Sequence, residues 1–188
     1  NRKDELVFIT DDEFIHLNSV LRIKPNESIE VCCGDGVVLD CVIESIEKRR
    51  ATARIVNERK IEPILPQITL YIALTKSERM DWAVQKCVEL GVSKIVPFES
   101  RFCTVKSKDN KTERLYRVAV AACKQSGLAY LPSIEPTITF AELCRRVELT
   151  RQVILAYEGA TQNAKDELKA LNKDKEVAII VGSEGSEK

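Results

Sequence analysis

Pro63 and Pro66 split the chain into two stretches with different hydrophobic rhythms, and this division constrains the fold more than any other feature. Proline lacks a backbone N–H and pushes the residue before it away from helix, so Ile61-Glu62-Pro63-Ile64-Leu65-Pro66-Gln67 reads as a linker. Before it come short β-forming runs at residues 7–10, 29–33, 37–43 and 51–56. Gly34-Asp35-Gly36 tolerates the positive φ angles of a tight turn, which predicts a hairpin between the second and third runs. One helix is expected at residues 11–21, with Phe14, Leu17 and Leu21 on one face. Pieces of this kind pack as a small barrel.

After the linker the rhythm becomes strand, helix, strand, helix. Residues 68–74 form a near-continuous apolar run, as expected for a strand covered on both faces. Ser77 is placed to cap a helix carrying Met80, Ala83, Val84, Cys87, Val88 and Leu90, with Trp82 read as core and Gly91 as the stop. A strand at 94–98 follows, then a helix at 112–126 with Leu115, Val118, Ala119, Ala122 and Cys123 on one stripe, ended by Gly127. Thr139 and Glu142 have capping-box spacing for a helix bearing Phe140, Leu143, Cys144 and Val147, and residues 152–157 and 176–181 read as strands. Alternation of this kind predicts a mostly parallel sheet with helices on its faces.

Composition excludes several classes. The chain has 188 residues, 44% hydrophobic and 31% charged, which suits a folded globular protein. No apolar run is long enough to span a bilayer, and the first residues lack the apolar core of a signal peptide. The 7 cysteines include no C-x-x-C pair and only 1 histidine accompanies them, so neither a disulfide framework nor a metal site is expected. A reducing, cytoplasmic setting fits. Lys+Arg and Asp+Glu both number 29, so net charge names no partner. Locally, residues 45–60 carry Lys48, Arg49, Arg50, Arg54, Arg59 and Lys60 against Glu47 and Glu58, and residues 99–117 are basic as well. Both stretches could contact phosphate, although charge pattern alone favours an ordinary solvated surface.

The last strand runs into Gly182-Ser183-Glu184-Gly185-Ser186. In open α/β sheets ligands gather beyond the carboxyl ends of strands, where glycines let main-chain groups approach them closely. Leu155, Glu158 and Gly159, at the end of the strand at 152–157, are candidates for the same site. The fingerprint of a nucleotide-dependent oxidoreductase is absent, because Leu74-Thr75-Lys76-Ser77 holds no glycine.

Thr75-Lys76-Ser77-Glu78-Arg79-Met80-Asp81-Trp82, Gln85-Lys86-Cys87-Val88-Glu89-Leu90-Gly91-Val92, Ile95-Val96-Pro97 and Ser100-Arg101 form an ordered set. So do His16 with Val20-Leu21-Arg22, Ala121-Ala122-Cys123-Lys124-Gln125-Ser126-Gly127 with Leu131-Pro132, and Val181-Gly182-Ser183-Glu184-Gly185-Ser186. Together they resemble the ribosomal small subunit methyltransferase E family of the SPOUT superfamily. The resemblance implies a PUA-like RNA-binding β-barrel at residues 1–64 and an α/β SPOUT domain at 67–188 with a C-terminal trefoil knot. It further implies S-adenosylmethionine as cofactor, a homodimer, and methylation of uridine N3 in small-subunit (16S) ribosomal RNA, free or within the 30S particle. Ser183 and Ser186 stand where the family has proline and glycine, and Leu128 where it often has arginine. The family pattern continues past Lys188 with a helix that threads the knot, so the knot and the pocket are expected to be incomplete within these residues.

On this reading Gly182, Ser183, Glu184, Gly185, Leu155, Glu158 and Gly159 bind cofactor. Arg79 and Arg101 are catalytic, with Lys76 as a further cation, because a positive charge stabilises the uracil anion. Lys76, Lys86, His16, Arg22 and Gln125 contact RNA. The residues also allow plainer roles. Arg79 and Lys86 can pair with Glu78 or Glu89, Arg22 can be an exposed helix-end arginine, His16 can be structural, and Gln125 can serve local capping. The alternative function is a non-catalytic RNA-binding protein on the same scaffold.

Overall fold

The computed structural model describes residues 2–103, 105, 111–150, 152–156, 159 and 164–182. The chain forms two compact units, Asn1–Glu62 and Pro63–Lys188.

The first unit is an antiparallel sheet of β1 (Arg2–Lys3), β2 (Leu6–Thr10), β3 (Ser28–Cys32), β4 (Val37–Ile46) and β5 (Arg50–Lys60), in the order β1-β2-β5-β4-β3. Gly34 and Gly36 adopt φ angles of 87° and 93° in the β3–β4 turn, and Cys33 N–H donates to the Val37 carbonyl at 2.9 Å. Leu39, Cys41 and Ile43 alternate along β4 into a core with Val7, Phe14, Leu17, Ala51 and Ala53, the period of a strand with one face inward. The expected single helix departs from prediction. Helix α1 (Asp11–Ile15) passes into a π-helical turn, His16–Leu21. The wider turn rotates later residues off the Phe14–Leu17 face, which leaves Leu21 55% exposed rather than packed.

The second unit contains, in chain order, β6 (Ile68–Ala73), α2 (Ser77–Glu89), β7 (Lys94–Glu99), α3 (Lys111–Ser126), β8 (Ser133–Ile134), β9 (Ile138–Thr139), α4 (Phe140–Glu148), β10 (Val153–Ala156), α5 (Ala164–Ala170) and β11 (Val177–Val181). The sheet runs β10-β11-β6-β7-β8, with β9 also beside β7, and every one of these pairings is parallel. Alternate residues of β6 feed opposite cores. Leu70 and Ile72 join Met80, Val84, Val88, Leu115, Ala119, Ala122 and Cys123 under α2 and α3, while Tyr71 and Ala73 join Val96, Phe98, Leu143 and Ala178 under α4. The chain builds β7 and β8 on one side of β6 and returns to place β11 on the other. The order therefore reverses at the β6–β11 pair, the place where open α/β sheets hold ligands.

Three local expectations are corrected. Ser77 is the first helical residue of α2 rather than its cap; Lys76 takes the cap position with no side-chain bond. Trp82 is 65% exposed, because two residues of helix rotate it about 200° from the Met80–Val84–Val88 stripe. Phe140 is likewise exposed, though its ring centroid lies 6.3 Å from that of Phe98. The Thr139 cap forms as expected, its hydroxyl accepting from Glu142 N–H at 3.2 Å.

Candidate functional site

Strand register fixes what meets at the carboxyl edge of the second sheet. Val181 of β11 lies opposite Ile72 of β6 and Ala156 of β10, and Ala73 lies opposite Phe98 of β7. The segments leaving these strands, at Gly182, Thr75 and Ser100-Arg101, therefore emerge along one edge. Gly182 is exposed, and a Cβ built there would meet no described residue within 4 Å. Leu155 is 61% exposed and Gly159 is exposed beyond the end of β10. Glu158, Ser183, Glu184 and Gly185 lie outside the described residues.

A shallow, half-open pocket lies at the same edge, lined by Leu74, Thr75, Ser77, Met80, Asp81, Arg114 and Leu115. It sits where the end of β6 meets the first turns of α2 and α3. The Arg114 guanidinium pairs with Asp81 Oδ2 across the two helices. The other carboxylate oxygen, Oδ1, is buried and has no hydrogen-bond partner among the described residues. Sequence reasoning did not single out this pair, since the two residues are joined only by the packing of α2 against α3.

The expected cations separate. Lys76 is exposed at the start of α2, with Arg79 exposed one turn on. Arg101 is exposed at the end of β7, its guanidinium 4.6 Å from the Phe102 ring centroid. These three lie toward the carboxyl edge, although none lines the pocket. Lys86 lies about 15 Å further along α2 than Lys76 and pairs with Glu89 at 2.8 Å. That ammonium, with Gln85 helping, holds the Glu89 carboxyl below the usual carboxylate range. Gln125 is exposed at the far end of α3 from Arg114. His16 and Arg22 belong to the first unit. His16 is exposed where the π turn begins, and Arg22 is exposed and left-handed where it ends (φ 54°), with Val20 64% exposed between them.

On the opposite face of the sheet Arg146 bonds Glu135 at 2.6 Å and Glu142 at 2.9 Å beneath Tyr71. This network ties α4 to the sheet. Among the described residues no cluster of His, Cys, Asp and Glu could hold a metal, and no helix is long and apolar enough to cross a membrane.

The family model for an RNA methyltransferase domain matches residues 62–186. The chain belongs to the RNA methyltransferase family. The model for the PUA domain of RNA methyltransferases matches residues 9–56. Among relatives of this RNA methyltransferase, Ribosomal RNA small subunit methyltransferase E of Bacillus subtilis is 28% identical over 188 residues, spanning 94% of this chain and 73% of that protein. The protein of the same name in Aquifex aeolicus is 29% identical, spanning 98% and 79%. The crystal structure of Ribosomal RNA small subunit methyltransferase E from Neisseria gonorrhoeae bound to S-adenosyl methionine is 30% identical. It superposes with a TM-score of 0.82 over 97% of this chain and 76% of that one. A Legionella pneumophila structure, 24% identical with a TM-score of 0.84, shares the fold.

Proposed function

We propose that this RNA methyltransferase uses S-adenosylmethionine to methylate N3 of a uridine in small-subunit ribosomal RNA. The carrying observation is its likeness, over 97% of its length, to the Neisseria gonorrhoeae small-subunit RNA methyltransferase E solved with S-adenosyl methionine. The exposed Gly182 just past β11 and the exposed Leu155 on the neighbouring β10 support the same reading. In this proposal Leu155, Gly159 and Gly182, with Glu158, Ser183, Glu184 and Gly185, hold the cofactor. When bound, it supplies a sulfonium methyl group that is already electrophilic.

The protein then has to orient the acceptor and favour the uracil anion. Orientation is worth several kcal/mol of such a barrier, and fixed cations stabilise the charge that develops. Arg79 and Arg101 take that catalytic role, with Lys76 beside them. His16, Arg22, Lys76, Lys86 and Gln125 contact RNA, with residues 1–64 as the RNA-binding barrel and residues 67–188 as the transfer domain. Family membership also supports a trefoil knot, a homodimer, action in the cytoplasm, and recognition of RNA free or within the 30S particle. A non-catalytic RNA-binding role has no observation in its favour.

Calorimetric titration of S-adenosylmethionine into the full-length protein tests the reading. One saturable site per chain is expected, weakened at least tenfold by a bulky substitution at Gly182. A flat titration from a protein that still binds RNA contradicts it.

A further inference from the structure

The geometry points to the pocket between β6, α2 and α3 as the subsite for the acceptor base, with Arg114, oriented by Asp81, as the group that meets a ring carbonyl. The assignment rests on the methyl-transfer reading above and names the place where the RNA base sits.

Position is the first argument. The pocket begins at Leu74 and Thr75, directly beyond β6. With Ile72 opposite Val181, Gly182 of the proposed cofactor loop stands level with Ala73 on the neighbouring strand. Neighbouring strands are about 4.8 Å apart, so a ring above Thr75 lies beside a group held at Gly182. Shape is the second. The pocket is half open to solvent, so a base can reach its lining from outside.

Chemistry is the third argument. Leu74, Met80 and Leu115 offer apolar walls for the faces of a ring, while Thr75 and Ser77 offer hydroxyls at its edge. Among the described residues Arg114 is the one full positive charge in the lining. A guanidinium carries five N–H groups and only donates, so with Asp81 engaging part of it the remainder can donate to a ligand acceptor. Its side chain is 48% exposed and within reach of one. Uracil places a carbonyl on each side of N3, and those oxygens take up the charge when N3 loses its proton. In the step itself the N3–H bond breaks, its electron pair stays on nitrogen and the proton passes to solvent. That pair forms the N3–methyl bond as the sulfur–methyl bond breaks, and the sulfur keeps its own pair as a neutral thioether. Arg114 faces the base while it is anionic. Lys76, Arg79 and Arg101 remain outside the lining and add their charge from the same edge, so Arg114 joins them as the cation that lines the pocket itself. Among the described residues Asp81 Oδ1 is a buried acceptor without a hydrogen-bond partner, the kind of group that calls for an explanation. Asp81 is a positioning residue, since its contact is to Arg114 and not to the base.

The test compares full-length wild type with R114Q, R114K and D81N. Uridine 5′-monophosphate, titrated without cofactor, should shift the methyl resonances of Met80 and Leu115, with cytidine 5′-monophosphate shifting them less. R114Q should lose those shifts and lower kcat for methylation of small-subunit RNA by about a hundredfold or more. It should leave S-adenosylmethionine affinity within about twofold of wild type and move the rise of the pH–rate profile to higher pH. R114K should recover part of the rate, and D81N should fall between. A wild-type rate in R114Q overturns the assignment. So does loss of cofactor affinity in R114Q, which would make the pocket part of the cofactor site. A lowered melting temperature with an unmoved pH profile overturns it too, by reducing the pair to a structural clasp. A wild type that transfers no methyl group removes the methyltransferase reading and the subsite with it, whereas an active wild type matched by R114Q removes the subsite alone.

Discussion

Glu142 sits between Arg145 at 2.8 Å and Arg146 at 2.9 Å, and the Arg146 hydrogen bond holds its carboxyl below the ordinary range. Glu89 is held low in the same way by Lys86. A carboxyl depressed in the folded state contributes stability that is fully present above its unfolded value near 4.5 and is lost as pH falls through the folded one. Thermal melts should therefore show little change from these groups between pH 7 and about 5, then a decline toward pH 3 that is shallower in E142Q than in wild type. Both groups are partly open to solvent, so the difference should be small and should shrink in salt. Burial sets the larger effects. Leu143 is 1% exposed beneath α4, and L143A should cost about 2–5 kcal/mol in denaturant unfolding. Trp82, at 65% exposure, should be replaceable by alanine within about 0.5 kcal/mol.

Helix ends make the element scale testable. Gly91 follows α2 with φ at 85°, and an added Cβ would fall 2.8 Å from Ile64 Cδ1. Gly127 follows α3 with φ at 63° in open space. A left-handed conformation costs a side chain about 1–2 kcal/mol wherever it occurs. G127A should show that cost alone, while G91A should show more, with the excess relieved in the double variant with I64A. T139A removes the cap of α4 and should cost about 1 kcal/mol. Chemical denaturation of these variants checks each value. Helices whose stripe and stop residue agreed, such as α3 with Leu115, Ala119 and Gly127, were legible in the sequence. The π turn at His16–Leu21 was not, since its residues carry an ordinary helical pattern.

At the scale of the whole molecule, the proline linker and the change of rhythm announced a β-rich unit and a parallel α/β unit. Strand order was hidden, because nothing in residues 176–181 says that this strand lies between β10 and β6. That same order brings Gly182 next to the end of β6. The site was therefore half legible. Its glycine loop could be read locally, while the Asp81–Arg114 pair depends on two helices meeting. If the basic stretches touch phosphate, RNA affinity should fall steeply between 50 and 200 mM salt, with a slope near one per phosphate contact.

The most direct measurement follows the methyl group. Full-length protein, S-adenosylmethionine labelled in its methyl carbon and small-subunit RNA lacking the modification are incubated together, and the RNA is digested to nucleosides for mass spectrometry. The label should appear in 3-methyluridine at a single position. Label in another nucleoside would contradict the N3 assignment, and RNA that binds the protein yet gains no label would contradict the methyl-transfer account itself.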